Sequence, residues 1–338
     1  MGTAPYGYSY DNIGNRKTAQ EIAEELTYTA NNLNQYTRIE ESGETPFVPT
    51  YDASGNQTLI KTSTGIWTVV YNAANRAVSF TSRDGNIVVE CGYDYQGRRY
   101  MKKVTVNGTV ASHERYLYRG YLQIAALDML NSKNVHRTLL WDPLEPVATR
   151  PLALVQDNNA LYCYGTDFNK NVTEVFDAQG TIAAAYDYSP YGQVASAGTL
   201  VQPVQWSSEM NDEELELVYY NYRYYNPADG RWINRDPIAE EGGWNLYAFI
   251  GNNSIKKKDI VGLISDSVTD IIIAYGAQGM SPKAISDLLV LLLKVNQEHV
   301  LIMFPLHVPI ILVQEIIGIG GNLKCIKIRK LANVMKKS

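Results

Sequence analysis

The chain alternates short apolar runs with compact polar turns over most of its length. Runs at 66–71, 86–90 and 100–106 are rich in β-branched and aromatic residues, with apolar and polar positions alternating in several of them. A period of two is typical of β-strands with one buried face. The intervening stretches carry Asp, Asn and Gly, which favour tight turns because they bond their own backbone or adopt positive φ. The pattern therefore predicts antiparallel hairpins.

The turns belong to a repeated unit that begins with tyrosine, usually followed by aspartate or asparagine. The lead residues are Tyr10, Tyr28, Tyr51, Tyr71 and Tyr93, spaced 18, 23, 20 and 22 residues apart. One such hairpin cannot bury its own apolar face, so successive units must stack. Further strands are predicted at 115–118, 138–141, 152–155, 161–164, 172–176 and 181–188. The predicted fold class is all-β, with an acidic loop or short edge element at 208–217.

Composition narrows the function classes. Only 19% of the residues are charged and the formal net charge is -5, which argues against a nucleic-acid-binding protein with a basic stripe. Tyrosine is abundant, with 25 residues against 6 phenylalanines, and suits sheets with one partly hydrated face. The scattered cysteines and histidines show neither a disulfide framework nor metal-ligand spacing, so no metal or cofactor is expected. These residues are Cys91, Cys163, Cys325, His113, His136, His299 and His307.

The stretch 219–263 is the densest in sequence signals. It holds six tyrosines, two tryptophans and two Asp-led motifs within 45 residues. It follows the last predicted strand, and the amino-acid composition of the chain changes directly after it. We therefore expect any chemistry to occur here.

From Ile264 onward Leu, Ile and Val dominate and tyrosine nearly disappears. Ser281 and Pro282 form a helix start, which predicts a helix at 284–295 and a mostly α C-terminal extension. The run 299–319 is strongly apolar, but two prolines, a histidine and a glutamate interrupt it. A membrane contact by this run is therefore less favoured than a buried helix and strand or a poorly folded tail.

The Tyr-Asp units resemble the YD repeats of Rhs proteins, a bacterial polymorphic-toxin family related to insecticidal toxin-complex C components and animal teneurins. The segment YYNPADGRWINRDPI at 224–238 is similar to the start of the Rhs-associated core domain. NLYAF at 245–249 and GNN at 251–253 resemble its middle, and DIVGL at 259–263 stands where that core ends. The resemblance covers about 260 of the 338 residues.

The resemblance implies a domain organisation and an activity. Residues 1–218 would form a spiral β-shell around a cavity, 219–263 the Rhs-associated core that plugs it, and 264–338 a variable, toxin-like cargo. The family core cuts the chain after its terminal leucine with an aspartyl-protease-like site. In this sequence the cut would fall between Leu263 and Ile264.

Two positions depart from the family pattern. Ala239 stands where the family usually has Gly in the first Asp-Pro motif, and Ile260 replaces the Pro of the second. The spacing of 23 residues between Asp236 and Asp259 is kept. Proline fixes its own φ and keeps the preceding residue extended. With Ile260 in its place, neither position 260 nor Asp259 is restricted in this way before the expected cut.

Peptide hydrolysis by carboxylates needs two acids close enough to share a proton. Asp236 is the first candidate, and its partner is Asp259 by motif or Asp229 in reserve. Arg235 is a candidate for lowering the pKa of a neighbouring carboxyl or for holding the Asp236 loop. The alternative interpretation is that Asp236 and Asp259 only stabilise turns by accepting backbone hydrogen bonds.

Three hypotheses for function remain open. The chain is a self-cleaving delivery shell that encloses its own C-terminal segment, a non-catalytic structural or adhesive shell at the cell surface, or a truncated piece of a longer gene. The first implies a secretion system or an immunity protein as further partners. The expected location is secreted or at the cell surface, although the N-terminus has no signal-peptide pattern. The sequence of 264–338 carries no nuclease, deaminase or transferase signature.

Overall fold

The structure is a computed structural model. It describes residues 6–21, 24–143, 150–254, 257, 259, 262, 311–313 and 328–330. The chain divides into two compact units, Met1–Ser265 and Asp266–Ser338.

The described part of the first unit consists of three antiparallel meanders, and within each sheet every strand pairs with its neighbours in sequence. The first sheet contains β1 (Gly7–Tyr10), β2 (Arg16–Glu21), β3 (Glu24–Ala30) and β4 (Tyr36–Glu41). The 14-stranded sheet contains β5 (Thr50–Tyr51), β6 (Gln57–Thr62), β7 (Gly65–Tyr71), β8 (Ala77–Ser82), β9 (Ile87–Tyr93), β10 (Arg99–Val106), β11 (Thr109–Arg119), β12 (Leu122–Asp128), β13 (Asn134–Trp141), β14 (Pro151–Gln156), β15 (Leu161–Thr166), β16 (Val172–Asp177), β17 (Ile182–Tyr188) and β18 (Val194–Gly198). The third sheet contains β19 (Met210–Asp212), β20 (Leu217–Tyr219), β21 (Tyr224–Asn226) and β22 (Arg231–Trp232). The all-β prediction is confirmed.

Each repeat turn is closed by the side chain of its first polar residue. Oδ1 of Asp52 accepts the N–H groups of Ser54 and Asn56, both at 2.9 Å. Asp11, Asp94 and Asp177 make the same pair of bonds with the residues two and four positions later. The repeated unit contains Asp because its carboxylate accepts hydrogen bonds from two N–H groups of the turn that have no partner in a neighbouring strand.

In the second repeated unit the turn lies later in the chain than the lead residue Tyr28 predicts. Asn31, not the residue after Tyr28, accepts the two turn N–H groups, from Leu33 and Gln35. Tyr28 is instead buried inside β3. The turn follows the side chain that can bond two amides, so the asparagine decides its position.

The tyrosines near the strand ends hold neighbouring strands together through their hydroxyl groups. Each donates to the backbone carbonyl of the first residue of the adjacent strand. The pairs are Tyr71 with Gln57 at 2.9 Å, and Tyr93 with Ala77, Tyr118 with Arg99 and Tyr188 with Val172, each at 2.7 Å. Phenylalanine could not make these bonds, which accounts for the preference for tyrosine. Burial raises the pKa of Tyr93 well above its usual value, so the hydroxyl keeps the proton that it donates.

The buried face of the large sheet packs against the small third sheet. Trp67, Phe80 and Val104 of the large sheet belong to one apolar cluster with Leu217 and Tyr224 of the third sheet. Alternate turns of an antiparallel meander lie at the same edge of the sheet, and the Tyr-Asp turns share one edge in this way. Contacts described below connect this edge to residues 219–262.

The third sheet begins earlier than the core boundary predicted at 219. Its first strand, β19, lies within the acidic stretch 208–217 and pairs with β20 at the edge of the sheet, which agrees with the short edge element named as one alternative for this stretch. The boundaries 1–218, 219–263 and 264–338 stay predictions. Among the described residues, no helix has the length and apolar character needed to cross a membrane.

In the second unit the described residues form one antiparallel pair, β23 (Ile311–Val313) with β24 (Ile328–Lys330). The helix predicted at 284–295 lies outside the described residues. The same holds for most of the apolar run 299–319.

Candidate functional site

An aromatic cluster forms the base of the candidate site. Tyr220, Tyr225, Trp232 and Phe249 are each at most 1% exposed. The rings of Tyr225 and Phe249 stack with centroids 4.0 Å apart, and Trp232 meets Phe249 edge-to-face at 5.3 Å. Aromatic pairs in these arrangements stabilise beyond their buried area. The cluster therefore provides a rigid base for the polar residues around it.

A buried ion pair attaches the third sheet to the large sheet. Arg99 forms a bidentate salt bridge with Asp212, in which Nη2 lies 2.9 Å from Oδ1 and Nη1 contacts Oδ2. Nη1 also donates to the hydroxyl of Tyr224 at 2.7 Å, and Lys102 donates to Asp212 Oδ1 at 3.1 Å. Burial alone would raise the pKa of Asp212, but Arg99 and Lys102 hold it at about 2.

Arg223 brings together the two aspartates that the sequence singled out. One guanidinium nitrogen, Nη2, lies 2.9 Å from Oδ2 of Asp236 and 3.6 Å from Oδ2 of Asp259. All three side chains are at most 7% exposed. The guanidinium also lies over the ring of Trp232, 4.0 Å from its centroid. We refer to Arg223, Asp236 and Asp259 as the carboxylate cluster.

The carboxylate cluster also holds Gly262, the residue before the expected cleavage position. Arg223 Nε donates to the Gly262 carbonyl at 2.6 Å, and the Gly262 N–H donates to Asp259 Oδ1 at 2.7 Å. Gly262 has φ +77, and a Cβ there would lie 2.9 Å from the Tyr220 carbonyl oxygen. Glycine is therefore required both by the backbone conformation and by the close approach.

Burial dominates the electrostatics of the cluster. It raises the pKa of Asp236 above its usual value, although Arg223 opposes the shift. Burial also lowers the pKa of Arg223, against the two aspartates. The Asp236 carboxylate additionally accepts the Ile238 N–H at 3.0 Å. The arrangement can thus hold one proton near a pair of carboxylates, as acid–base chemistry requires.

The other predicted site residues lie elsewhere. Asp229 accepts a hydrogen bond from Asn226 Nδ2 at 3.0 Å. Burial raises its pKa to about 6, while Arg231 and Arg16, rather than Arg223, oppose the shift.

Arg235 is exposed and packs its alkyl chain over a repeat turn. A Cβ on Gly55, which has φ +85, would lie 2.4 Å from Arg235 Cδ. Its assigned role at Asp236 stays a prediction. Leu263 and Ile264 lie outside the described residues, as does Ile260.

The sequence reasoning missed Arg223. The signal was present, because a single cation among five tyrosines in 219–225 must become buried with its neighbours, and a buried cation needs carboxylate partners.

In the part of the chain that the structure describes, no group of three or more His, Cys, Asp or Glu side chains forms a metal site.

Ala239 has a conformation that explains the glycine usual at this position. Its φ is +54, in the left-handed region that costs a non-glycine residue about 1 kcal/mol or more. We expect Ala239→Gly to raise the free energy of unfolding by about 0.5–1 kcal/mol, measured by urea denaturation. Ala228→Gly is the control, since Ala228 is not among the positive-φ residues and glycine there should be neutral or destabilising. Equal effects of the two replacements would contradict the interpretation.

Comparison with known proteins identifies the family. The teneurin YD-shell family model matches residues 1–255. The chain belongs to the teneurin YD-shell family. The resemblance of the Tyr-Asp units to Rhs proteins is thereby confirmed. The first sheet and the 14-stranded sheet, which lie within the matched residues, are called the wall below, and the third sheet with the residues after it is called the core.

Relatives of this YD-shell chain include a bacterial tRNA nuclease and a bacterial toxin subunit. The tRNA nuclease WapA of Bacillus subtilis is 26% identical over 265 residues, which are 75% of this chain and 10% of WapA. Toxin subunit YenC2 of Yersinia entomophaga is 33% identical over 93 residues, 26% of this chain and 10% of YenC2. The chain thus spans about a tenth of the length of these relatives.

A solved structure agrees with the YD-shell fold. The Tc holotoxin pore of Photorhabdus luminescens matches with a TM-score of 0.54 and 20% identity, over 78% of this chain and 15% of the toxin chain. At this identity the similarity concerns the fold.

Proposed function

We propose that this YD-shell chain carries a self-cleaving core that cuts the Leu263–Ile264 bond and releases the segment that follows. The observation that supports it is the carboxylate cluster, in which Arg223 joins Asp236 and Asp259 and also binds the carbonyl of Gly262. The bond to be cut begins one residue later. A peptide held in the same chain is at a high effective concentration, so the site needs no pocket for a separate substrate.

The two carboxyl groups have different roles in the proposed hydrolysis. Burial raises the pKa of Asp236, so this carboxyl takes up a proton more readily than a free aspartate, and in its protonated form it gives that proton to the departing Ile264 nitrogen. Asp259 accepts a proton from water as the water oxygen bonds to the Leu263 carbonyl carbon. The C–N bond then breaks, leaving a carboxyl group on Leu263 and an amine on Ile264. Arg223 orients both acids and the peptide before the cut.

The released segment, 264–338, is the proposed cargo of the shell. Similarity to WapA and YenC2, which are named as a nuclease and a toxin subunit, supports a toxin-like cargo and a secreted or surface location. A secretion system and an immunity protein are the corresponding partners.

The second candidate function is a non-catalytic shell in which the carboxylate cluster is a structural clamp. It is favoured by the two backbone bonds that the acids accept, from Ile238 and Gly262, which resemble ordinary turn-stabilising bonds.

Intact mass spectrometry of the purified chain, with N-terminal sequencing, separates the two functions. Self-cleavage predicts a fragment that begins at Ile264, and its absence after Asp236→Asn or Asp259→Asn. Asp229→Asn is the matched control, because Asp229 is buried in the same core but bonds to Asn226 instead, and it should still cleave. A folded wild-type chain that stays intact under native conditions would refute self-cleavage.

A further inference from the structure

A tight turn lies between the candidate site and the shell wall. Residues 220–223 join β20 to β21, with the Tyr220 N–H bonded to the Arg223 carbonyl at 2.9 Å and the Tyr222 N–H to the Tyr220 carbonyl at 2.5 Å. Asn221 within it has φ +59. The carbonyls of Asn221 and Tyr222 are not part of the strand ladder, so they need partners from outside the sheet.

Arg76 of the wall binds both of those carbonyls. Its Nη1 donates to the Asn221 carbonyl at 3.0 Å and to the Tyr222 carbonyl at 2.6 Å. Its guanidinium carbon lies 4.5 Å from the ring centroid of Tyr222. Arg76 ends the repeat turn between β7 and β8, where Asn72 Oδ1 accepts its N–H. Arg76 therefore fixes the position of the turn, because charged hydrogen bonds to two carbonyls and a cation–π contact are each stronger than neutral contacts.

The neighbouring repeat turn restricts Arg76 from the other side. A Cβ on Gly97 would lie 2.6 Å from Arg76 Nη2. The guanidinium therefore lies against two successive repeat turns of the wall and the core turn at once. It can reach this position only when the wall strands β7 to β10 have paired.

The same core turn supports the carboxylate cluster directly. Arg223 is its last residue, and it binds Asp236 and the Gly262 carbonyl. The Gly262 backbone packs on the turn so closely that an added Cβ would be 3.2 Å from the Arg223 nitrogen. The four-residue turn at 220–223 therefore has two sets of contacts. Arg76 of the wall binds its carbonyls, and the side chain of its last residue, Arg223, binds the candidate site.

We propose that Arg76 is a positioning residue that makes assembly of the carboxylate cluster depend on docking of the repeat turn at 72–76 against the core. Its contacts join residues 145 and 146 positions apart in sequence, so they form only after the wall has folded around the core. The arrangement would delay cleavage until the shell is in place. This last consequence rests on the proposed self-cleavage, whereas the positional dependence does not.

The test compares Arg76→Ala with Arg98→Ala in the full chain. Arg98 occupies the equivalent position of the next repeat turn, but it binds Asp94 and the Gly120 carbonyl within the wall. Hydrogen exchange read by mass spectrometry follows the amides of the 220–223 turn and of Gly262, which is bonded to Asp259. Cleavage is followed in the same samples by the appearance of the Ile264 fragment.

We expect Arg76→Ala to accelerate exchange at the turn and at Gly262 by about tenfold and to slow cleavage by about 10- to 100-fold. Arg98→Ala should change neither. Arg76→Lys keeps a charged donor and should restore part of the protection from exchange and part of the cleavage rate. If Arg76 acted only through packing, lysine would not restore them.

Unchanged exchange at Gly262 in folded Arg76→Ala would overturn the proposal. So would an Arg98→Ala variant with the same acceleration, because the effect would then reflect general loosening of the wall. If the wild-type chain does not cleave at all, self-cleavage fails, and the exchange measurement alone still decides the positional role of Arg76.

Discussion

Replacing Arg223 by alanine is expected to lower the free energy of unfolding by about 3–5 kcal/mol near neutral pH, because it leaves two buried carboxylates without their cation. Asp236 and Asp259 are 7% and 1% exposed, so water cannot replace the guanidinium. The change also removes the bond to the Gly262 carbonyl and the contact with Trp232.

The loss should depend on pH with a defined sign. Burial raises the pKa of Asp236 in the folded state and Arg223 opposes the shift, so removing Arg223 raises that pKa further. A carboxyl whose folded pKa is raised binds its proton more readily in the folded chain, so the free energy of unfolding increases as pH falls through that pKa. The destabilisation of Arg223→Ala should therefore shrink at mildly acidic pH.

Urea unfolding at neutral and at mildly acidic pH measures both effects. Arg235→Ala is the control, because Arg235 is exposed and its loss should change stability by about 0.5 kcal/mol or less. The assignment of Arg223 as the central cation would be wrong if the two variants lost equal stability, or if the loss in Arg223→Ala were independent of pH.

The second large effect is expected at the ion pair between the large sheet and the third sheet. Arg99→Ala should lower the free energy of unfolding by about 3–5 kcal/mol, since it leaves Asp212 buried with only Lys102 nearby. Lys102 also donates to Glu214 at 2.5 Å, so it cannot replace both bonds of Arg99. The Tyr224 hydroxyl loses a donor at the same time.

A paired replacement distinguishes an unpaired charge from lost packing. Arg99→Met combined with Asp212→Leu removes both charges and should recover most of the stability, while Lys102 keeps Glu214 as its partner. Arg115→Ala is the control, because Arg115 is exposed and its guanidinium lies over the ring of Tyr100. If the double variant were as unstable as Arg99→Ala, the loss would come from packing and the charge argument would be rejected.

Much of the wall could be predicted from local patterns. The predicted strand 66–71 is found as Gly65–Tyr71, and 172–176 as Val172–Asp177. Agreement is close because strand ends are set by local chemistry, namely an Asp or Asn that bonds two amides of its own turn. The offset at Tyr28 shows the limit of the pattern, since the tyrosine marks the unit but the asparagine three residues later closes the turn.

The candidate site was only partly accessible to the same reasoning. Asp236 and Asp259 were found through a motif, and the structure places both beside one guanidinium. The cation named from sequence was Arg235, directly beside Asp236 in the chain, whereas the ion pair is made by Arg223. The role predicted for Arg235 stays a prediction, whereas Arg223 lies 13 positions from Asp236 in the chain and is brought to it by the fold.

The sequence by itself determined the repeated hairpins, the YD-shell family and the two acidic motifs, because each depends on residues within a few positions of one another. Only the tertiary structure showed which cation joins the two aspartates, which glycine is held next to the expected cut, and that Arg76 of the wall supports the turn that carries Arg223. The contacts of Arg223 and Arg76 join residues 13 to 146 positions apart. Their partners are chosen by burial, since a charge removed from water must find its counter-charge or a carbonyl wherever the fold supplies one.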